Sequence, residues 1–163
     1  MLLLKLIEQI PFFWQFTPDE RSQLVEGETF FVTYQKGNFL IREGDQEDSA
    51  LLILIKGRVA ITKSVNPDVT LATLEPGAVI GEMSFLTGQP RATNVIAREE
   101  VTAFRIASQE MESLDVRMQM KIQHQLILIL VDRLGQVNQT LAKQKQANQT
   151  LAKALAGIHA ERL

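Results

Sequence analysis

The chain has 163 residues, a net charge of −2, 45% hydrophobic and 22% charged residues, and no cysteine. The balance of apolar and charged residues excludes a disordered polyelectrolyte and a strongly basic nucleic-acid binder. The missing cysteine excludes disulfides, thiolate chemistry and cysteine-ligated metals.

The length suits one domain with an extension, and the pattern divides it at residue 116. Residues 1–116 carry a charge of about −7 and residues 117–163 about +5. The positive end reads as a solvated helix face with lysines pointing outward. The N-terminus "MLLLKLIEQIPFF" is apolar but broken by Lys5 and Glu8, so it does not read as a signal peptide. The longest apolar run, "LILILV" at 126–131, is too short to span a bilayer. A soluble, cytoplasmic protein without a membrane partner is expected.

Helical spacing of Leu3, Leu6, Ile7 and Ile10 predicts a first helix. "TPDE" then opens a second: Thr17 caps, Pro18 suits the first helical position, and Glu20 closes a capping box. Trp14 with Phe12, Phe13 and Phe16 is expected to seal these helices onto the rest of the domain. From about residue 28 to 107 the pattern changes to short β segments, among them "TFFVTYQ", "ALLILIKG", "RVAITKSV", "VTLATL", "ATNVIA" and "VTAFRIA". Between them stand Lys36-Gly37-Asn38, Glu43-Gly44-Asp45, Lys56-Gly57, Asn66-Pro67-Asp68 and Glu75-Pro76-Gly77, which is turn chemistry. About eight close-spaced strands without helical crossovers predict a mainly β fold with flanking helices: a sandwich or barrel, such as an antiparallel jelly roll or double-stranded β-helix barrel.

A short helix over 108–114 leads into a long one. From Ile127 the seam steps by three and four: Ile127, Leu130, Leu134, Val137, Leu141, Gln144, Asn148, Leu151, Leu155 and Ile158. Eight of these ten positions are apolar, a coiled-coil signal over more than four heptads. A lone helix of this length is marginal without a partner. Asn148 at an a position favours a two-stranded pair in register, so a parallel homodimer is expected.

The stretch "GEMSFLTGQPRATNVIA", Gly81–Ala97, carries the chemistry. A short helix opening at Glu82 presents unpaired N–H groups, Gly81 permits close approach of a ligand, and Arg91 is a two-pronged cation suited to a phosphate. Glu82 would accept from a hydroxyl, so the set describes a sugar phosphate. The same residues also allow a plain structural ion pair between Glu82 and Arg91 in a ligand-free dimeric scaffold. Spacing and residue type leave both open. The two histidines, His124 and His159, have no nucleophile or ligand partners at helical spacing, and no metal or catalytic motif is present. No enzyme, cofactor or metal is expected.

Gly81, Glu82, Pro90, Arg91, Ala92 and Ala97 resemble the phosphate-binding cassette of the cyclic nucleotide-binding domain family. "KGNFLIREGDQEDSALLILIKGRVAI", "LEPGAVIGE" and "IPFFWQFTPDERSQL" are similar to its other segments, so the likeness covers about residues 1–135. The resemblance implies that Arg91 grips the cyclic phosphate, with Ala92, Thr93 and the N–H groups near Met83 and Ser84 beside it. It implies Gly81 and Glu82 at the ribose, and Ile80 and Asn138 toward the base. Ala92, where cGMP-selective members often carry threonine, points to cAMP before cGMP as the regulatory ligand. Departures are Ile80 in place of an aromatic residue, Thr93-Asn94 in place of Ala-Thr, and Val137-Asn138 in place of the Thr-Ser pair of dimeric bacterial members. The chain reaches Leu163 without a helix-turn-helix pattern. A bacterial regulatory protein is therefore expected, acting on a protein effector through its dimeric C-terminal helix and not on DNA.

Overall fold

The computed structural model describes residues 2–26 and 29–160, with side chains to Gly157 in the last helix. The side chains of Ile158 and His159 lie outside the described residues. The chain divides into two compact units, Met1–Ile122 and Gln123–Leu163.

In the first unit, α1 (Leu2–Ile7), a 3-10 turn (Pro11–Phe13) and α2 (Pro18–Glu26) precede the strands. The predicted capping box is formed at α2. The Thr17 N–H donates to the Glu20 carboxylate at 2.7 Å, and the Glu20 N–H donates to the Thr17 hydroxyl at 3.2 Å.

The strands are β1 (Phe31–Tyr34), β2 (Phe39–Ile41), β3 (Leu51–Lys56), β4 (Val59–Thr62), β5 (Ala72–Leu74), β6 (Val79–Ile80), β7 (Asn94–Ala97) and β8 (Val101–Ile106). They form two four-stranded sheets, in the orders β1-β8-β3-β6 and β2-β7-β4-β5, with antiparallel pairing throughout. This is the antiparallel jelly roll expected, with one correction: the sheets do not close into a barrel. Each keeps two edge strands, and β6 has only two residues, too few to carry a continuous ladder from one sheet to the other.

β3 explains how the unit is held. Its residues Leu51–Ile55 are all buried because each face has a partner. Leu52 and Leu54 join Val59, Val95, Val101 and Ala103 in the core of the roll. On the other face, Ile53 lies beside Phe104 of β8, whose ring meets Phe13 edge-on at 5.3 Å. Phe12, Phe13 and Phe16 are buried and in ring contact, which attaches the N-terminal helices to the first sheet. Trp14 departs from the expected seal. It is 64% exposed, with its indole N–H donated to the Glu8 carbonyl. Three consecutive aromatic positions on a tight turn cannot all face one core, and Trp14 is the one turned out.

α3 (Glu82–Thr87) sits between β6 and β7, and α4 (Ser108–Ser113) follows β8. α5 (Val116–Ala160) begins in the first unit, where Met118 and Ile122 are buried. Lys121 ion-pairs with Glu20 at 2.5 Å, and its carbonyl accepts from the Gln15 amide. The second unit is the remainder of this helix. Within one chain, Ile127, Leu134, Val137, Leu141, Leu151 and Leu155 of the seam are exposed, and Leu130 is half-buried. Among the described residues, no helix is long and apolar enough to cross a membrane.

Candidate functional site

The site is built at the turn from β6 into α3 and at the entry to β7. Gly81 caps α3 in the left-handed region, at φ 81°. A side chain there would be strained, and its Cβ would collide with Nη1 of Arg91. Glycine therefore lets the chain turn and leaves room for the guanidinium. Phe85 donates to the Gly81 carbonyl at 3.0 Å as the first helical bond. The N–H groups of Glu82, Met83 and Ser84 consequently have no acceptor within the helix. Glu82 and Ser84 are buried, and Met83 is exposed.

Arg91 is 4% exposed. Its Nε donates to the Asp48 carbonyl at 2.8 Å, Nη1 to the Gly81 carbonyl at 3.1 Å and Nη2 to the Ala50 carbonyl at 2.6 Å. A guanidinium has five N–H groups, so these bonds use three and leave one on each Nη. Asp48 provides the nearest carboxylate, at 3.8 Å from Nη2, beyond hydrogen-bond range. Burial pulls the Arg91 pKa below its usual range, against Asp48, Asp45 and, less, Glu82. Neutral carbonyl dipoles thus do most of the work of holding a buried cation, and a close anion would complete its solvation.

The Asp48 carboxylate is shared. It accepts from Arg105 of β8 at 3.0 Å and from the Ala50 N–H at 2.9 Å. Burial alone would raise its carboxyl, but the Ala50 N–H, Arg105 and Arg91 outweigh that and hold it low. Arg105 lies 3.9 Å from Glu110, which caps α4 by accepting the Ala107 N–H at 2.6 Å. A chain of charges therefore runs from Arg91 to the start of α4. A cavity of about 240 Å³ opens beside Arg91, bordered by Tyr34, Arg42, Asp45 and Asp48. Burial there raises the Tyr34 phenol.

Of the residues singled out from sequence, Ile80, Gly81, Glu82, Ser84, Arg91 and Thr93 fall on this one stretch of fold. Ile80 is buried, Thr93 is half-buried, and Met83 and Ala92 are exposed. Asn138 is exposed and belongs to the second unit. Asp48, Ala50, Arg105 and Lys63 were not singled out. Asp48 and Ala50 precede β3 by a few residues and act largely through backbone carbonyls, which leave no mark in residue type. Among the described residues, no His, Asp and Glu group is arranged to hold a metal ion.

A two-sheet jelly roll with a glycine-capped helix and a buried arginine at the entry to β7 defines a ligand-binding regulatory fold. The profile of the cyclic nucleotide-binding domain matches residues 31–116, and the chain belongs to that family. It is 30% identical over 126 residues to human cGMP-dependent protein kinase 2, covering 76% of this chain and 16% of that protein. It is 32% identical over 108 residues to the cAMP-dependent protein kinase regulatory subunit of Neurospora crassa, covering 66% of this chain and 27% of that one. The chain thus spans about a sixth and about a quarter of these relatives. The crystal structure of the Thermus thermophilus catabolite activator protein superposes with a TM-score of 0.66 at 26% identity, covering 80% of this chain and 61% of that chain.

Proposed function

We propose that this chain is a cyclic-nucleotide-responsive regulatory module in which Arg91 holds the cyclic phosphate. The observation that carries the reading is the state of Arg91: buried, fixed by three carbonyls, with two N–H groups still to donate. Two N–H donors on one guanidinium suit two phosphate oxygens. Ala92, Thr93 and the N–H groups of Met83 and Ser84 lie alongside as further donors. Gly81 and Glu82 take the ribose, and Ile80 lies toward the base. Ala92 supports cAMP as the ligand before cGMP; the two kinase relatives divide by name between these nucleotides.

Residues 1–116 act as the binding domain and 117–163 as the output. The exposed seam from Ile127 through Asn148 to Leu155 supports a parallel homodimer. Ligand charge at Arg91 would alter its pull on Asp48, and through Arg105 and Glu110 the seating of α4 ahead of the long helix. That is a population shift between two arrangements, read by a protein effector.

Calorimetric titration with cAMP and cGMP tests this. Micromolar or tighter binding is expected, about −8 kcal/mol or better. Arg91→Lys keeps the charge but loses the fork, and should weaken binding about 10–100-fold. No heat and no thermal shift with either nucleotide would leave the rival reading, a ligand-free dimeric scaffold in which Arg91 is structural. The three carbonyl bonds make Arg91→Ala destabilising under both readings, so only ligand affinity separates them.

A further inference from the structure

A second cluster lies on the other side of the cassette backbone. Lys63, just past β4, donates to the Ala92 carbonyl and pairs with Glu43 at 3.0 Å. The other Glu43 oxygen accepts the Ser64 N–H at 2.6 Å. The Glu43 N–H donates to the side-chain oxygen of Asn94 at 2.8 Å, and the Asn94 amide donates to the Ser64 hydroxyl at 3.1 Å. The circuit closes on itself through three segments: the loop after β2, the end of β4 and the entry to β7. Asn94 is buried, and each end of its amide has a partner. The Ser64 N–H first, and then Lys63, hold the Glu43 carboxyl below the usual carboxylate range, so the carboxylate stays charged at neutral pH.

One residue earlier, the Arg91 N–H donates to the Asp45 carbonyl at 2.9 Å, and the Arg91 carbonyl accepts the Gly44 N–H at 2.8 Å. The backbone that carries the guanidinium is therefore pinned at two successive residues: by Gly44 and Asp45 at Arg91, and by Lys63 at Ala92. A two-pronged anion grip tolerates little displacement of that backbone.

We propose that Lys63, locked by Glu43 and Asn94, is a positioning residue for the anion site, setting the Ala92–Thr93 peptide beside Arg91. The inference rests on the cyclic-nucleotide reading above. Lys63 acts through the backbone and makes no contact with the ligand.

The test uses the full chain as wild type, Lys63→Met, Lys63→Arg and Glu43→Gln. Affinity for cAMP and cGMP is measured by calorimetry, and amide exchange of residues 91–94 is measured without ligand. Lys63→Met should weaken both nucleotides about tenfold, the size of one charge-assisted hydrogen bond, without changing their ratio. It should speed exchange at residues 91–94 and leave β3 and β8 unchanged. The pair is partly exposed, so the melting temperature should move by less than about 3 °C. Lys63→Arg should restore affinity and protection, and Glu43→Gln should repeat the loss in smaller measure.

Exchange unchanged with affinity lost would place Lys63 on the ligand itself and overturn the positioning role. Faster exchange with affinity held within about twofold would reduce the circuit to a structural tie. If the wild type binds and Lys63→Met matches it in both readouts, the inference fails while the nucleotide reading stands. A wild type that binds neither nucleotide removes both.

Discussion

The two units answer burial in opposite ways. In the first, charges find internal partners: buried Arg91 has three carbonyls, half-buried Asp48 has Arg105, and half-buried Glu20 has Lys121. In the second, the apolar seam of α5 is exposed within one chain, at 61% for Leu134 and 57% for Leu141. The first unit thus meets most of its needs internally, with two N–H groups of Arg91 left to donate, whereas a helix with such a stripe is stable in water only when another surface covers it. Under the proposed function the contrast separates the roles: binding chemistry sits where the chain has already fixed its own geometry, and the proposed interaction surface sits where it has not.

The largest effect should come from breaking the seam. Leu134→Lys combined with Leu141→Lys should convert the proposed dimer to monomer in sedimentation velocity and melt much of the distal helix by circular dichroism. Nucleotide affinity should stay within about threefold, the spread allowed for independent sites. A variant that remains dimeric would mean the partner surface lies elsewhere.

Within the first unit, Phe13→Ala should cost about 3–5 kcal/mol in urea unfolding, because its ring fills the space against Phe104. Gly81→Ala should cost about 1–3 kcal/mol from the left-handed backbone, and should displace Arg91, so ligand binding falls with stability. Separation of those two losses would argue against Gly81 as the seat of the guanidinium.

The smallest effect is on pH. Asp48 has its carboxyl lowered in the folded state, so its contribution is present above the ordinary carboxylate range. It is lost as pH falls through the depressed folded value, below about pH 4. Asp48→Asn should therefore flatten the acid limb of stability against pH and leave the neutral region nearly level. An acid limb of unchanged slope would show that Arg105 and Arg91 do not depend on this carboxylate.

The capping box at Thr17 and Glu20 was legible because both halves lie three residues apart on one helix start. The strands were legible from their β-branched runs and turn residues, and β3 was readable as a buried run because both its faces are covered. Of the sandwich and barrel that the strands allowed, the fold is two open sheets and not a barrel. Closure depends on how far edge strands continue, and two residues of β6 carry no signal of that. Trp14 was misplaced because residue type reports what a side chain could bury, not which way a tight turn points it.

The sequence alone determined the jelly-roll class, the family, the glycine and arginine of the cassette, and the apolar period of the last helix. These rest on local rules: side-chain periodicity, turn chemistry and a motif of close spacing. Only the tertiary structure decided what surrounds Arg91. Two of its three carbonyl partners come from positions 41 and 43 residues earlier in the chain, and the Lys63 clamp reaches Ala92 from 29 residues away. Carbonyl oxygens are the same on every residue, so their convergence on one guanidinium exists only once the chain has folded.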